Sequence, residues 1–182
     1  LTKDNQTLLM IDSIQAGLRC HGVLSICDYP GFEQIAAPDL ETFSKAINGG
    51  QYPLSVLAMT AETAAHYQIG IYGNTMTGNP RGLDLGAAVL GQMTPAVRQN
   101  IVKRGLEFKS ELSKLKNEFS TEILEVLGQG LLLSAQLKSE IAVEGMHGLE
   151  QKIRHLGVEV IHSSGNRLRF TPWFSVSRSE LD

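Results

Sequence analysis

Cysteines, basic residues and long apolar runs are scarce in this sequence, and each shortage excludes a class of protein. Cys20 and Cys27 are too few for a disulfide scaffold or a zinc site, so we expect a reduced, cytoplasmic location. Lys and Arg number 16 against 19 Asp and Glu, without a basic block, which argues against nucleic-acid binding. No apolar run approaches the roughly 18 residues of a membrane helix, so we expect no membrane association.

The sequence does have the composition of a globular protein. Its 182 residues are 42% hydrophobic and 19% charged, enough for one large domain or two small ones. The histidines are scattered without metal-ligand spacing, so we expect no metal site, and no nucleophile-elbow, Walker or dinucleotide-binding glycine pattern occurs. The chain begins at Leu1 and stops at Asp182, where a helix could begin, so we expect a piece of a longer protein.

The first half of the sequence predicts an α/β arrangement. The apolar runs Thr7–Asp12 and Leu54–Met59 have the length of strands buried on both faces. Pro38-Asp39 predicts the start of a helix over Leu40–Ile47, which Gly49-Gly50 would end.

Capping residues predict the helices that follow. Thr60 would cap a short helix to about residue 67, whereas Asn79-Pro80 and Thr94-Pro95 are typical starts of longer helices, the second reaching about residue 119. The predicted core faces consist of Leu83, Ala87 and Leu90 in the first long helix and of Phe108, Leu112, Leu115 and Phe119 in the second.

After residue 119 the pattern becomes that of a small α+β domain. The predicted elements are strands within 123–137 separated by a turn at Gly128–Gly130, a helix at 149–156, and strands at 158–161 and 168–170. We therefore divide the chain into an α/β part over residues 1–95, a connecting helix over 96–119 and a small domain over 120–182.

Three polar elements could have chemical roles, and each also has an ordinary interpretation. Asp12, at the end of a buried strand, is costly without a cationic partner, or else it is a turn residue. Lys45 could be an imine-forming nucleophile in a partly apolar site, or a surface lysine at a helix end. Residues 72–80, rich in hydroxyls and backbone amides before a helix start, could bind a phosphate or form a polar loop.

The order of these elements matches the pattern of a known enzyme family. The matching segments are, in chain order, Asp12 to Gln15, Pro38-Asp39, Lys45 before Gly49-Gly50, residues 73–80 (GNTMTGNP) and Arg167–Pro172 (RLRFTP). Together they resemble the class III aminotransferases. These are fold-type I enzymes that use pyridoxal 5'-phosphate (PLP) and include ornithine, acetylornithine and 4-aminobutyrate aminotransferases.

The resemblance implies an α/β fold and a transferase activity. The chain would be the C-terminal part of a fold-type I PLP-dependent transferase, with part of the large-domain sheet and a small α+β C-terminal domain that is cut short. The enzyme would move an amino group from an amino-acid or omega-amino donor to a 2-oxo acid, as a homodimer with composite active sites. A same-fold aminomutase, a decarboxylating aminotransferase and a non-catalytic fragment remain as alternatives.

The resemblance also implies roles for individual residues. Lys45 would be the catalytic Schiff-base lysine, and Asp12 would keep the pyridinium nitrogen of PLP protonated. Gln15 would contact the phenolic oxygen side of the cofactor, and Thr75 would bind its phosphate from the neighbouring subunit. Arg169 would grip a substrate carboxylate, a two-point contact suited to a guanidinium group.

The chain departs from the family pattern in several places. Ser13 stands where the family usually has a glutamate after the aspartate, and the segment Gly22–Ala37 is longer than usual. Gln51-Tyr52 replaces small or apolar residues, and the family's glycine-rich phosphate loop and ring-stacking aromatic have no counterpart here. Arg167 competes with Arg169 for the substrate carboxylate because alternation along a strand puts both on one face.

Overall fold

The computed structural model describes residues 2–73 and 75–181, which divide into two compact units. The first unit runs to Leu18 and resumes from Val23 to Thr94. The second contains Arg19–Gly22 and everything from Pro95 onward, so the helix expected as a connector belongs to the second unit. No helix of the described residues is long and apolar enough to cross a membrane.

The first unit is built on a sheet of three strands in the order β1-β2-β3. The strands are β1 (Met10–Asp12), β2 (Leu40–Phe43) and β3 (Val56–Met59). β1 and β2 are parallel, with Asp12 opposite Thr42, whereas β2 and β3 are antiparallel. Two helices follow, namely α1 (Ala61–Ala64) and α2 (Pro80–Gln92).

The predicted helix over Leu40–Ile47 is wrong, because its first residues form β2. The Asp39 carboxylate does not cap a helix but accepts a hydrogen bond from the backbone N–H of Leu9 at 2.8 Å. That contact aligns the two strands, and pairing of β2 on both edges outweighs the local helix signal. A short 3₁₀ helix, Lys45–Asn48, follows the strand.

The expectation that β1 and β3 are buried on both faces is also wrong for the described residues. All four residues of β3 are exposed, as are Met10 and Asp12 of β1. An apolar run only shows that a strand can be buried, because burial also requires a layer to cover it.

Helix α2 begins as predicted, because the Asn79 Oδ1 accepts a hydrogen bond from the backbone N–H of Arg81 at 3.0 Å. Its predicted core face is wrong, since Leu83 is 51% exposed while Gly82 and Gly86 are buried. A Cβ at Gly86 would lie 2.6 Å from Leu54 Cδ2. Contact through glycines brings the helix backbone close to the chain that follows the Lys45–Asn48 helix.

The second unit packs a long helix and a short one on a four-stranded antiparallel sheet of order β4-β5-β7-β6. Its elements are α3 (Pro95–Glu118), β4 (Ile123–Gln129), β5 (Leu132–Leu137), α4 (Leu149–His155), β6 (Ile161–Ser163) and β7 (Arg167–Phe170). The buried cluster at its centre consists of Leu137, Val143, Val160 and Leu168. Ile153 of α4 packs against this cluster.

The buried face of α3 differs from the predicted stripe. Ile101, Gly105 and Leu112 are buried, whereas Leu115 and Phe119 are exposed. A Cβ at Gly105 would lie 2.3 Å from the Cα of Gly130, so the helix approaches the β4–β5 turn at a position that tolerates no side chain. This close approach sets which face of the helix is covered.

A buried carboxylate joins α4 to β6. Glu150, 6% exposed, accepts hydrogen bonds from the His162 Nδ1 at 2.5 Å and from the His162 backbone N–H at 3.2 Å, and pairs with Arg154 at 3.0 Å. The His162 side chain is the main cause that holds the pKa of Glu150 below its usual range. Since a lowered folded pKa stabilises the fold above the unfolded value of about 4.3, this contribution is lost as the pH falls through the folded pKa.

We expect His162→Ala to shift acid unfolding of the protein to higher pH, because the Glu150 pKa would rise without its imidazole partner. The measurement is the midpoint of a pH titration followed by circular dichroism. His147→Ala, at an exposed position, is the matched control and should leave the midpoint in place. Equal midpoints for the two variants would show that the Glu150–His162 contact does not contribute to stability at acidic pH.

Candidate active site

Asp12 and Lys45 lie at the same end of the first unit's sheet. Asp12 is the last residue of β1, and Lys45 follows the last residue of β2 by two positions. Because β1 and β2 are parallel neighbours, their carboxyl ends meet at one edge. In open α/β sheets this is the edge at which ligands bind.

The Asp12 carboxylate is exposed and carries a local hydrogen bond only. Its Oδ1 accepts from the backbone N–H of Ile14 at 2.9 Å. No lysine, arginine or histidine forms an ion pair with it within residues 2–73 and 75–181. The group can therefore accept a proton or a hydrogen bond from a bound molecule.

Lys45 has an unusual backbone conformation. Its φ of 47° lies in the left-handed region, which costs a residue with a Cβ about 1–2 kcal/mol. Such strain is concentrated at active sites and ligand clamps. The side chain is exposed, and in the described part of the chain its ammonium group has no hydrogen-bond partner.

The residues around Lys45 hold it in this conformation. Ser44, directly before it, is extended and donates its hydroxyl to the carbonyl oxygen of Leu54 at 2.6 Å. The 3₁₀ helix that Lys45 begins is capped by Gly49, with φ of 57°, and the buried Asn48 accepts from the backbone N–H of Gly50 at 2.7 Å. The lysine is thus fixed between an anchored serine and a capped turn.

A buried hydroxyl without a partner lies at the same level of the sheet. Thr42 Oγ1 has no hydrogen-bond partner among the described residues, and Thr42 is the residue opposite Asp12 in the parallel pair. Buried polar atoms are usually hydrogen-bonded, so this exception at the strand ends is consistent with a site for a polar molecule.

The structure places Gln15 and Thr75 in turns. Gln15 is half-buried, three positions after Asp12. Thr75 is exposed in the turn before α2, and α2 packs on the Lys45–Asn48 helix. Asn74, beside it in the sequence motif, lies outside the described residues.

Arg169 lies in β7 of the second unit, and the structure distinguishes it from Arg167. The Arg167 guanidinium donates to Gln136 Oε1 at 3.1 Å. Arg169 is half-buried, and its side chain forms no hydrogen bond or ion pair within the described ranges, where the buried Nε atoms of both arginines have no partner. Of the two arginines, Arg169 is the one with its side-chain donors free to bind an anion.

Sequence reasoning missed Arg19, which fixes the segment that follows β7. Its guanidinium donates to the carbonyl oxygens of Thr171 at 3.3 Å and Pro172 at 2.9 Å and lies over the Phe174 ring at 5.3 Å from the centroid. Burial lowers the pKa of Arg19 from its ordinary value. The only hint in the sequence was the position of Arg19 directly after Gly17-Leu18, with no acidic residue beside it to pair with.

Sequence comparison identifies relatives over the whole chain. A family model described as aminotransferase class-III matches residues 1–182. The mitochondrial acetylornithine aminotransferase of Debaryomyces hansenii is 31% identical over 184 residues, covering 100% of this chain and 38% of that protein. The ornithine aminotransferase of Brevibacillus brevis is 28% identical over 181 residues, covering 99% of this chain and 42% of that protein.

Comparison with solved structures confirms the expected fold class. The acetylornithine aminotransferase of Elizabethkingia anophelis matches with a TM-score of 0.82 at 25% identity, over 98% of this chain and 46% of that chain. An ornithine aminotransferase of Toxoplasma gondii, described with partial occupancy of PLP at its active site, matches with a TM-score of 0.84 at 23% identity, over 98% and 41%. The chain thus spans less than half the length of these relatives.

We expect Lys45→Gly to be more stable than Lys45→Ala by about 1 kcal/mol, because glycine adopts a positive φ without a steric cost. The measurement is urea unfolding. Lys3, exposed and also first in a 3₁₀ helix but without a positive φ, is the matched control, and there alanine should equal or exceed glycine. The same order of stability at both positions would contradict backbone strain at Lys45.

Proposed function

We propose that this chain, which belongs to the class III aminotransferase family, contributes the cofactor-binding lysine and the substrate-binding arginine of a PLP-dependent aminotransferase. The observation that carries the proposal is the placement of Asp12 and a strained, exposed Lys45 at the carboxyl ends of two parallel strands. Because the chain spans 38% to 42% of the curated relatives cited above, the activity is proposed for the whole protein.

The proposed reaction moves an amino group from an amino-acid or omega-amino donor to a 2-oxo acid. The cited relatives are ornithine and acetylornithine aminotransferases, which supports a donor of the ornithine type. The aminomutase and the decarboxylating aminotransferase are not favoured by these relatives. When bound, PLP supplies an electron sink for the carbon that loses its proton.

The residues at the strand ends fit this cofactor. Asp12, exposed and without a cationic partner in the part of the chain that the structure describes, would keep a proton on the pyridine nitrogen, since a nearby carboxylate favours the charged form. Lys45 would bind the cofactor covalently and move a proton at the substrate Cα. Gln15 would contact the phenolic oxygen side, and the Thr75 hydroxyl would bind the phosphate of the cofactor in the neighbouring subunit.

Arg169 would bind the carboxylate of the amino donor or of the 2-oxo acid. A planar guanidinium can donate two parallel hydrogen bonds to a carboxylate, which fixes the orientation of the substrate and increases its affinity. The free donors of Arg169 support this role, whereas Arg167 already donates to Gln136.

We also propose a homodimer in which Thr75 reaches the cofactor phosphate of the neighbouring subunit. Thr75 is exposed in a turn, which supports a contact with a neighbouring subunit. A cytoplasmic location is proposed on the low cysteine content.

The covalent role of Lys45 is tested by chemical trapping in the natural polypeptide that contains this chain. After incubation with PLP and reduction with borohydride, peptide mapping should find the pyridoxyl group on Lys45. Lys45→Arg, which keeps the charge but cannot be trapped, should lose both the label and the visible absorption. A label on another lysine of the wild-type protein would overturn the assignment.

The substrate role of Arg169 is tested by comparing Arg169→Lys with Arg167→Lys. We expect Arg169→Lys to raise KM for carboxylate substrates about 10- to 100-fold, since it loses a charge-assisted hydrogen bond of about 1.5–3 kcal/mol. PLP affinity should stay unchanged, and Arg167→Lys should have a smaller effect. The role would be refuted by equal KM values in the two variants.

A further inference from the structure

We propose that Glu41 and Ser13 form a coupled buried pair that positions Asp12, and that β2 thereby supplies the carboxylate which the family usually carries directly after the aspartate. The proposal rests on the proposed function, because the position of Asp12 matters only if Asp12 binds the cofactor. Glu41 is then a positioning residue that acts through Ser13.

The contacts of Glu41 occupy both of its oxygens. The Ser13 hydroxyl donates to Oε1 at 2.5 Å, and the Ser25 hydroxyl donates to Oε2 at 3.0 Å. Ser13 is 2% exposed and Glu41 7%. The Ser13 Oγ also accepts from the backbone N–H of Ile26 at 3.2 Å, so one carboxylate holds the turn after β1 and the start of the next 3₁₀ helix.

A carboxylate in this environment is costly. No cationic side chain forms an ion pair with Glu41 in the part of the chain that the structure describes. Burying a charge that is compensated only by neutral donors is unfavourable unless the arrangement is needed elsewhere. An apolar residue at this position of β2 would fit the alternation of the strand with less cost.

The pair is connected to Asp12 through Ser13, its neighbour in the chain. The backbone N–H of Ser13 donates to the carbonyl oxygen of Thr42 at 3.0 Å, and Thr42 lies opposite Asp12. Ser13 is therefore bound to β2 by its backbone and, through Glu41, by its side chain. These two contacts fix the chain where β1 ends and the Asp12 side chain leaves the sheet.

The departure from the family pattern at Ser13 now has a physical explanation. Glu41 is paired with Ile11 in the parallel register, and its carboxylate reaches the hydroxyl of Ser13, two positions further along the chain. A glutamate at position 13 would be repelled by the Glu41 carboxylate, whereas loss of Glu41 would leave the buried Ser13 hydroxyl and the half-buried Ser25 hydroxyl without their acceptor. In this chain the carboxylate at this contact comes from β2.

The experiment is a reciprocal exchange in the natural polypeptide, with Ser13→Glu, Glu41→Ser and the double variant. PLP affinity is measured by absorption and stability by urea unfolding. Each single variant should weaken PLP binding by about tenfold. Because residues in direct contact are energetically coupled, the PLP affinity of the double variant should return to within about threefold of wild type. Single effects that simply multiply in the double variant would overturn the proposal.

A second substitution separates positioning from folding. Glu41→Gln keeps the volume, and Glu62→Gln is the matched control at an exposed site of the same unit. In Glu41→Gln we expect the visible absorption of bound PLP to change at a higher pH. A displaced Asp12 would leave the ring nitrogen without its proton, and the neutral ring would withdraw less charge from the Lys45 nitrogen, which would then keep its own proton to higher pH. Identical pH profiles for the two glutamine variants would overturn the positioning role.

The remaining outcomes distinguish this proposal from the function on which it rests. If the exchange restores stability but not PLP affinity, the pair is only structural and the positioning role is refuted. If wild type itself fails to bind PLP, the proposed function fails. The positioning role can be refuted only if the wild-type protein binds PLP, whereas the proposed function fails only if it does not, so the two failures are distinguishable.

Discussion

The parallel pairing of β1 with β2 is the constraint on which the candidate site depends. It aligns Asp12 with Thr42 and brings Lys45, two residues beyond β2, to the same edge of the sheet. Parallel strands separated by a long segment are specified by contacts far apart in sequence. Here the Asp39 carboxylate on the Leu9 N–H and the Glu41 carboxylate on the Ser13 hydroxyl provide two such contacts, one at each end of the paired strands.

Polar side chains also fix the loops of the second unit. The Arg19 guanidinium holds the carbonyl oxygens of Thr171 and Pro172, just beyond the strand that carries Arg169. Asn100 on α3 likewise donates to the carbonyl oxygens of Phe174 and Val176. The chain beyond β7 is therefore positioned by half-buried side-chain donors from distant segments of the sequence.

Glycines determine how closely the helices of the two units approach their neighbours. Gly86 of α2 meets Leu54, and Gly105 of α3 meets the backbone of Gly130. A methyl group at Gly105 would overlap backbone atoms, which cannot move aside as a side chain can. Close backbone packing of this kind explains why larger apolar residues on the same helices, such as Leu83 and Leu115, remain exposed.

The sequence by itself determined the family and most of the elements. Capping signals at Asn79-Pro80 and Thr94-Pro95, the turn at Gly128–Gly130 and the order of the polar motifs are local features, and local features can be read from a sequence. They sufficed to predict an α/β fold and to select Asp12, Lys45 and Arg169 as candidates. The unusual φ of Lys45 could not be predicted, because a left-handed lysine is decided by its neighbours and not by its own preference.

Only the tertiary structure decided which strands pair and which faces are buried. Leu40–Phe43 is a strand although its flanking Pro38-Asp39 is typical of a helix start, because hydrogen bonds to β1 and β3 outweigh that local preference. The partnership of Glu41 with Ser13 is likewise invisible in a sequence where the two residues are 28 positions apart. Burial and pairing depend on what packs against a residue, and that is a property of the folded chain.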